Sequence, residues 1–148
     1  MPEQRTVERA KQDLREGKSP TTAAGEFVHE EIEHVRRGKH GTRSPQQAIA
    51  IGLSKARRAG IPLRPPAKGK AKGKTRKSAE RDYREGQAGI KKPLRKRSKA
   101  REQVLKRESR SAASHAALSR QARTAARRRK PGARSRSAKR GASVRKAA

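Results

Sequence analysis

The residues best suited to chemistry lie in the glycine-rich stretch G-K-H-G-T-R, from Gly38 to Arg43. Its two glycines would let backbone N–H groups approach an anion closely, and Lys39 and Arg43 add positive charge. A helix that starts just after the turn would add the positive end of its dipole. The pattern predicts a turn that contacts phosphate. The alternative is a connector whose glycines only satisfy turn geometry.

A metal site is the second chemistry to consider, because His29 and His34 bracket three glutamates in H-E-E-I-E-H. Zinc-binding histidines on one helix are usually four residues apart, so that both point to the same side. A spacing of five places them about 140° apart around the helix. No third ligand has a suitable spacing, and His115 lies far along the chain. We therefore expect these histidines and glutamates to lie on a solvated face, and predict no catalytic residue, no metal site and no cofactor.

The turn and the histidines belong to a predicted helical hairpin from Thr21 to Ile61. Its first helix carries an apolar stripe at helical spacing, made of Ala24, Phe27, Val28, Ile32 and Val35. Arg36 and Arg37 suit the helix C-terminus, and Gly38 suits the left-handed residue that follows.

The second helix of the hairpin begins at Ser44-Pro45, with Gln47 in place to complete a capping box. The first helix begins with a similar pair, Ser19-Pro20. The buried face of the second helix is predicted to contain Ala48, Ile49, Gly52, Leu53 and Ala56. Gly60 ends this helix, and Ile61 folds back on Ala56.

Two similar segments flank the hairpin. The sequence D-L-R-E-G at Asp13 to Gly17 recurs as D-Y-R-E-G at Asp82 to Gly86. The first ends an amphipathic segment from Thr6 to Glu16. We expect both segments to pack on the hairpin as short helices and complete one core; chance similarity in a Glu/Arg-rich helix is the alternative.

The predicted fold class is therefore all-α: a small helical hairpin, with one or two flanking short helices, plus a long disordered basic tail. The helical module covers residues 1–63, a basic Pro/Gly/Lys linker 64–77, a short helix 78–86 and the tail 87–148. Within the tail, 90–110 has the pattern of a brief helix. The Ala/Arg-rich stretch 111–130 would fold on a polyanion, since phosphates would remove the repulsion among its arginines.

The hairpin also carries a resemblance. The run from Thr22 to Gly60 includes A-G-E-F-V, H-V-R-R-G-K-H-G and Q-A-I-A-I-G-L-S-K-A-R-R-A-G. It resembles an uncharacterised family of small basic bacterial proteins built on these motifs. The resemblance implies a bacterial source and a compact N-terminal module, and it implies no activity.

Charge indicates the class of partner. The chain holds 43 Lys and Arg against 13 Asp and Glu, a formal net charge of +30 in 148 residues, and it has no cysteine. Of the basic residues, 22 lie beyond Gly86 with two acidic ones. Such asymmetry favours a polyanion as partner. No run suits a signal peptide or a membrane span, so we expect a cytoplasmic protein at the nucleoid with no membrane partner.

From this we expect no enzyme but a histone-like, nucleoid-associated protein that binds DNA without sequence preference. The tail composition is similar to the tails of linker histones and bacterial histone-like proteins. Two alternatives stay open: an RNA- or ribosome-associated protein, and an adaptor whose hairpin binds a protein. A homodimer formed through the hairpin is a further expected partner arrangement. The predicted phosphate contacts are Lys39, Arg43, Lys55, Arg57, Arg58, Lys68, Lys70, Lys72, Lys74, Arg127, Arg128, Arg129 and Lys130.

Overall fold

The computed structural model describes residues 2–89 and 95–129, with the backbone alone for 95–98. Its helices are α1 (Gln4–Arg15), α2 (Pro20–Arg36), α3 (Pro45–Arg58), α4 (Gly73–Gln87), α5 (Arg95–Lys106), a 3₁₀ helix (Ser111–Ala113) and α6 (His115–Arg128). The described residues contain no strand, so the all-α prediction is confirmed. The chain divides into two compact units, Met1–Ser114 and His115–Ala148.

Serine caps start both helices of the hairpin, as predicted. The Ser19 hydroxyl accepts a hydrogen bond from the Thr22 N–H, and the Ser44 hydroxyl accepts one from the Gln47 N–H. A proline occupies the first turn of each helix, where its missing N–H would have no partner anyway. The predicted capping box differs in one contact, because the Gln47 side chain accepts from the N–H of Arg43 and not from that of Ser44.

The end of α3 also follows the prediction. Gly60 has a φ of 87°, in the left-handed region, and the Ile61 N–H donates to the Ala56 carbonyl at 3.1 Å. This arrangement satisfies carbonyls at the helix end and turns the chain back on itself. Ile61 thereby becomes fully buried against the hairpin.

Both flanking segments pack on the hairpin: α1 lies against α2, and α4 lies against α3. Phe27 is the largest fully buried side chain, and its burial contributes about 1.5–3 kcal/mol. The buried cluster around it consists of Ala10, Ala23, Ala24, Phe27, Ala56, Ile61 and Leu63. Val28 and Ile32, predicted for the same stripe, are only half-buried.

A close approach of backbones joins α2 to α3. A Cβ added to Gly52 would lie 2.7 Å from the Val28 Cα and 2.9 Å from the Phe27 carbonyl oxygen. Carbon atoms in normal contact are about 3.5–4.0 Å apart. A residue without a side chain is therefore required at this crossing, because any Cβ would force the two helices apart.

Helix α4 is longer than predicted. It begins at Gly73, so residues 73–77 of the predicted linker are helical. Arg76 and Glu80 form an i,i+4 ion pair of 2.7 Å that favours this early start. Its far end reaches the end of α3, because a Cβ on Gly86 would overlap the Arg57 carbonyl oxygen.

The beginning of the predicted tail contacts the hairpin within the same unit. The Gly41 N–H donates to the Leu105 carbonyl at 2.8 Å, and the Thr42 N–H donates to the Ser109 carbonyl at 2.9 Å. Ala112 and Ala113 are buried. Residues 90–94 and 130–148 of the predicted tail lie outside the described residues.

Candidate functional site

A cluster of charged residues lies between α2 and α3. Ala24, Phe27, Glu31 and Val35 recur at three- and four-residue steps, so they share the face of α2 that packs inward. Glu31 is fully buried and its neighbour Glu30 is 6% exposed. From α3, the Lys55 Nζ lies 2.7 Å from Glu31 Oε2 and 3.3 Å from Glu30 Oε1. A buried carboxylate pair is thus balanced by a lysine.

Two imidazoles lie beside these carboxylates. His40, in the turn, places its Nε2 3.3 Å from Glu31 Oε1. His34, one turn beyond Glu31 on α2, has its Nε2 3.0 Å from Glu3 Oε1. The side chains of His34 and His40 are only 12% and 14% exposed, and their rings meet edge to face with centroids 6.2 Å apart. The histidines therefore link the N-terminus of α1, helix α2 and the turn.

Glu3 anchors the N-terminal end of this cluster. Its carboxylate accepts a hydrogen bond from His34 and one from Lys39 at 3.1 Å. These contacts, His34 first, lower the pKa of Glu3 from 4.5 to about 2. The backbone N–H of Glu3 in turn donates to Glu30 Oε2 at 3.1 Å. The start of α1 is thus bound to α2 by both side-chain and backbone contacts.

The expectation of a solvated acidic face is wrong for Glu30, Glu31 and His34. Only His29 is exposed as expected. The signal was present in the spacing, because Glu31 lies four residues after Phe27 and four before Val35. Assigning the stripe to apolar residues alone selected Ile32 and missed the carboxylate.

The predicted phosphate-binding turn uses its backbone donors elsewhere. Besides those of Gly41 and Thr42, the N–H of Lys39 donates to the His34 carbonyl at 2.9 Å and that of Arg43 to the Gln47 side chain at 2.9 Å. A Cβ on Gly41 would overlap the Glu108 carbonyl. The glycine thus serves a contact between segments of the protein, and these N–H groups do not form an anion cradle.

The two cationic side chains of the turn remain accessible. Arg43 pairs with Glu108 at 2.8 Å, yet its side chain is 72% exposed; Lys39 pairs with Glu3 and is 50% exposed. Ion pairs at such exposed positions are weak and easily exchanged.

The three basic residues at the end of α3 are engaged within the protein. Lys55 pairs with the buried carboxylates described above. Arg57 is 8% exposed, donates from Nε to the Leu63 carbonyl at 3.2 Å, and has a pKa lowered by burial. The Arg58 Nε lies 4.0 Å from Asp82. Lys55 and Arg57 are thus held in internal contacts, whereas the side chain of Arg58 stays 39% exposed.

The remaining predicted contacts lie at the surface where they are described. Lys68, Lys70 and Lys72 are exposed in the segment that leads into α4, and Lys74 is exposed in its first turn. Arg127 and Arg128 are exposed at the end of α6, and Arg129 is exposed just after it. Lys130 lies outside the described residues.

Helix α6 adds Arg120 and Arg123, which the sequence interpretation did not single out, beside the predicted Arg127. Arg120, Arg123 and Arg127 are all exposed. At 100° per residue they fall within an arc of about 60°, and they span about 10 Å along the helix. These three residues are called the arginine stripe below. Their three- and four-residue spacing was the available signal.

Comparison with protein-family models, with curated proteins and with solved structures gave no match. Among the described helices, none has the length and apolar character needed to cross a lipid bilayer.

Proposed function

We propose that this protein binds duplex DNA without sequence preference, through electrostatic contacts with phosphates, and associates with the nucleoid. The observation that carries the proposal is the surplus of cationic side chains that no carboxylate within the chain can neutralise. The net charge is +30. Phosphates are the anions that such a surface attracts most strongly, because binding releases condensed counterions.

Most of the few carboxylates already pair with a lysine or an arginine. Eleven of the 13 acidic side chains lie within ion-pair distance of a lysine or arginine: Glu3, Asp13, Glu16, Glu26, Glu30, Glu31, Glu33, Glu80, Asp82, Glu102 and Glu108. They therefore do little to screen the lysines of 68–74 or the arginine stripe. These cations need an external anion.

The second unit is the strongest candidate for the contact surface. Residues 115–148 include twelve of the 43 basic residues and no acidic one. The arginine stripe gives part of this charge a fixed spacing. Duplex DNA carries one negative charge per ~1.7 Å of axis, so a length of about 10 Å of duplex holds on the order of six phosphate charges on its two strands together.

The scarcity of aromatic residues favours duplex over single-stranded nucleic acid as the partner. The chain has one Phe, one Tyr and no Trp. Phe27 is fully buried and Tyr83 is half-buried in α4. Proteins that bind single strands usually stack bases on several exposed rings. The chain has too few rings for base stacking, so its cationic side chains support binding through the phosphate backbone.

The test is a salt titration of DNA affinity, by fluorescence anisotropy on two unrelated duplexes. If about 8 to 12 cations engage, log affinity against log salt should have a slope of about −7 to −11 on both duplexes. Removing residues 115–148 should reduce the slope by about 5, the value for roughly half of the twelve cations. A truncated chain that keeps the parental slope would contradict the proposed role of this unit.

A matched pair of full-length variants separates placement from total charge. Arg120→Gln/Arg123→Gln/Arg127→Gln removes the stripe, and Arg5→Gln/Arg15→Gln/Arg84→Gln removes three exposed arginines from the first unit. The stripe variant should lose more affinity and more slope. Equal losses would show that only net charge matters. The same titration on a structured RNA compares the affinities for DNA and RNA. A clear preference for RNA would show that RNA, and not DNA, is the partner.

A further inference from the structure

We infer that Glu31, His34 and His40 form a binding site for one divalent transition-metal ion, with zinc as the best-suited metal. Each residue offers one ligand atom, and the three atoms lie within 4.8 Å of one another. The set differs from the His29/His34 pair weighed from the sequence, because its third member comes from the turn. It is independent of the DNA-binding proposal.

The pair Glu31–His40 already has the separation of two zinc ligands. Zinc bonds of about 2.0–2.2 Å at a tetrahedral angle place neighbouring ligand atoms roughly 3.4 Å apart. The observed Nε2–Oε1 distance is 3.3 Å. The three ligand atoms lie within 4.8 Å of one another, so a bound ion would draw the groups closer together to reach the tetrahedral value.

The tautomer of His40 favours a cation at the same place. Its Nδ1 lies 3.1 Å from the Gly41 carbonyl oxygen. A carbonyl only accepts, so Nδ1 carries the hydrogen and a neutral ring presents a lone pair at Nε2. That lone pair faces a carboxylate oxygen. Two acceptors at this distance need a proton or a metal ion between them.

The surroundings of His34 match those of metal-binding histidines. Such rings usually give their second nitrogen to a carboxylate, which fixes their orientation. In this chain the Glu3 carboxylate holds the Nε2 of His34 at 3.0 Å, and Lys39 holds Glu3 in turn. The contact with Glu3 occupies Nε2 and leaves Nδ1, which lies 4.0 Å from Glu30 Oε1, as the nitrogen that would bind the ion.

The buried carboxylate supplies an independent indication of a ligand. The Glu31 side chain is 1% exposed, and neither of its oxygens makes a hydrogen bond of acceptable geometry with any described residue. Lys55 is close to Oε2, at 2.7 Å, and balances charge there. That contact leaves Oε1, the oxygen on the His40 side, available to a second cation. Buried carboxylates without full hydrogen bonding are uncommon and costly.

The donor atoms select the type of metal. Two imidazole nitrogens and one carboxylate oxygen form a set found in zinc sites, whereas Mg²⁺ and Ca²⁺ prefer oxygen ligands throughout. Bound zinc would join the middle of α2 to the turn, and it would stabilise the folded chain in proportion to its affinity.

The experiment titrates the metal-free, full-length protein with Co²⁺ and Zn²⁺. One equivalent of Co²⁺ should produce visible d–d absorption that Zn²⁺ removes, and Zn²⁺ should raise the melting temperature. His34→Gln and His40→Gln should each weaken binding by at least about 10–100-fold, the loss seen even for outer-shell changes. His29→Gln, on the exposed side of the same helix, is the matched control and should bind like the parent.

A proton bridge without metal is the outcome that would overturn the inference. It would appear as no d–d absorption and an unchanged melting temperature in the parent protein. Loss of binding in His29→Gln equal to that in the other two variants would also overturn it. Should a variant fail to fold, NMR of the parent decides: Zn²⁺ must shift the ring signals of His34 and His40 and leave those of His29 and His115 in place.

Discussion

Replacing Gly52 by alanine tests the close crossing of α2 and α3. The new Cβ would lie 2.7 Å from the Val28 Cα, about 1 Å inside a normal carbon contact. The obstacle is backbone, so no side chain can rotate away and the helices must move apart. Overpacking of this kind costs about 1–3 kcal/mol. Alanine at the same time favours the helix by up to about 1 kcal/mol.

Gly25→Ala is the matched control for this substitution. Gly25 lies inside α2, is exposed, and has nothing within 4 Å of an added Cβ. It gains the same helix propensity without the steric cost. The difference between the two variants therefore isolates the crossing, at about 1–3 kcal/mol.

Thermal unfolding followed by circular dichroism measures this difference. Each kcal/mol corresponds to about 4 °C for a domain of this size. We expect Gly25→Ala to melt above the parent, and Gly52→Ala to melt about 4–12 °C below Gly25→Ala. If Gly52→Ala melts as high as Gly25→Ala, the packing argument is refuted.

Two further predictions concern the charged cluster. Lys55→Met should destabilise the metal-free protein by about 3–5 kcal/mol, because it leaves the buried Glu30 and Glu31 without their lysine. Unfolding by urea measures this change, with Lys68→Met, at an exposed position, as the control. Equal effects of the two substitutions would mean that the buried pairing is unimportant. Glu3→Gln should lower the melting temperature at pH 7 by an amount that disappears in acid. The pKa of Glu3 is lowered from 4.5 to about 2, so its contribution is complete above the unfolded value and is lost progressively as the pH falls from about 4.5 through about 2. A difference between parent and variant that is as large at pH 2 as at pH 7 would contradict the assignment.

The ends of the hairpin helices could be predicted from local sequence alone. Ser19 and Ser44 cap because their hydroxyls reach an N–H three residues away, and Gly60 ends α3 because it adopts a positive φ readily. These effects act within one turn of helix. The helical spacing of the apolar residues likewise predicted the all-α class, and composition alone gave the cationic surplus.

The candidate sites depended on contacts that sequence spacing does not contain. Glu31 meets Lys55 because α3 folds back across α2, and it meets His40 because the turn after α2 bends back toward the helix. The N–H groups of Gly41 and Thr42 donate to carbonyls more than 60 residues away in sequence, in a part of the tail for which only a brief helix was expected. Whether a charged group is buried or solvated is set by what packs over it. The tertiary structure therefore determines the burial of Glu31, because desolvation is a property of the surroundings and not of the residue.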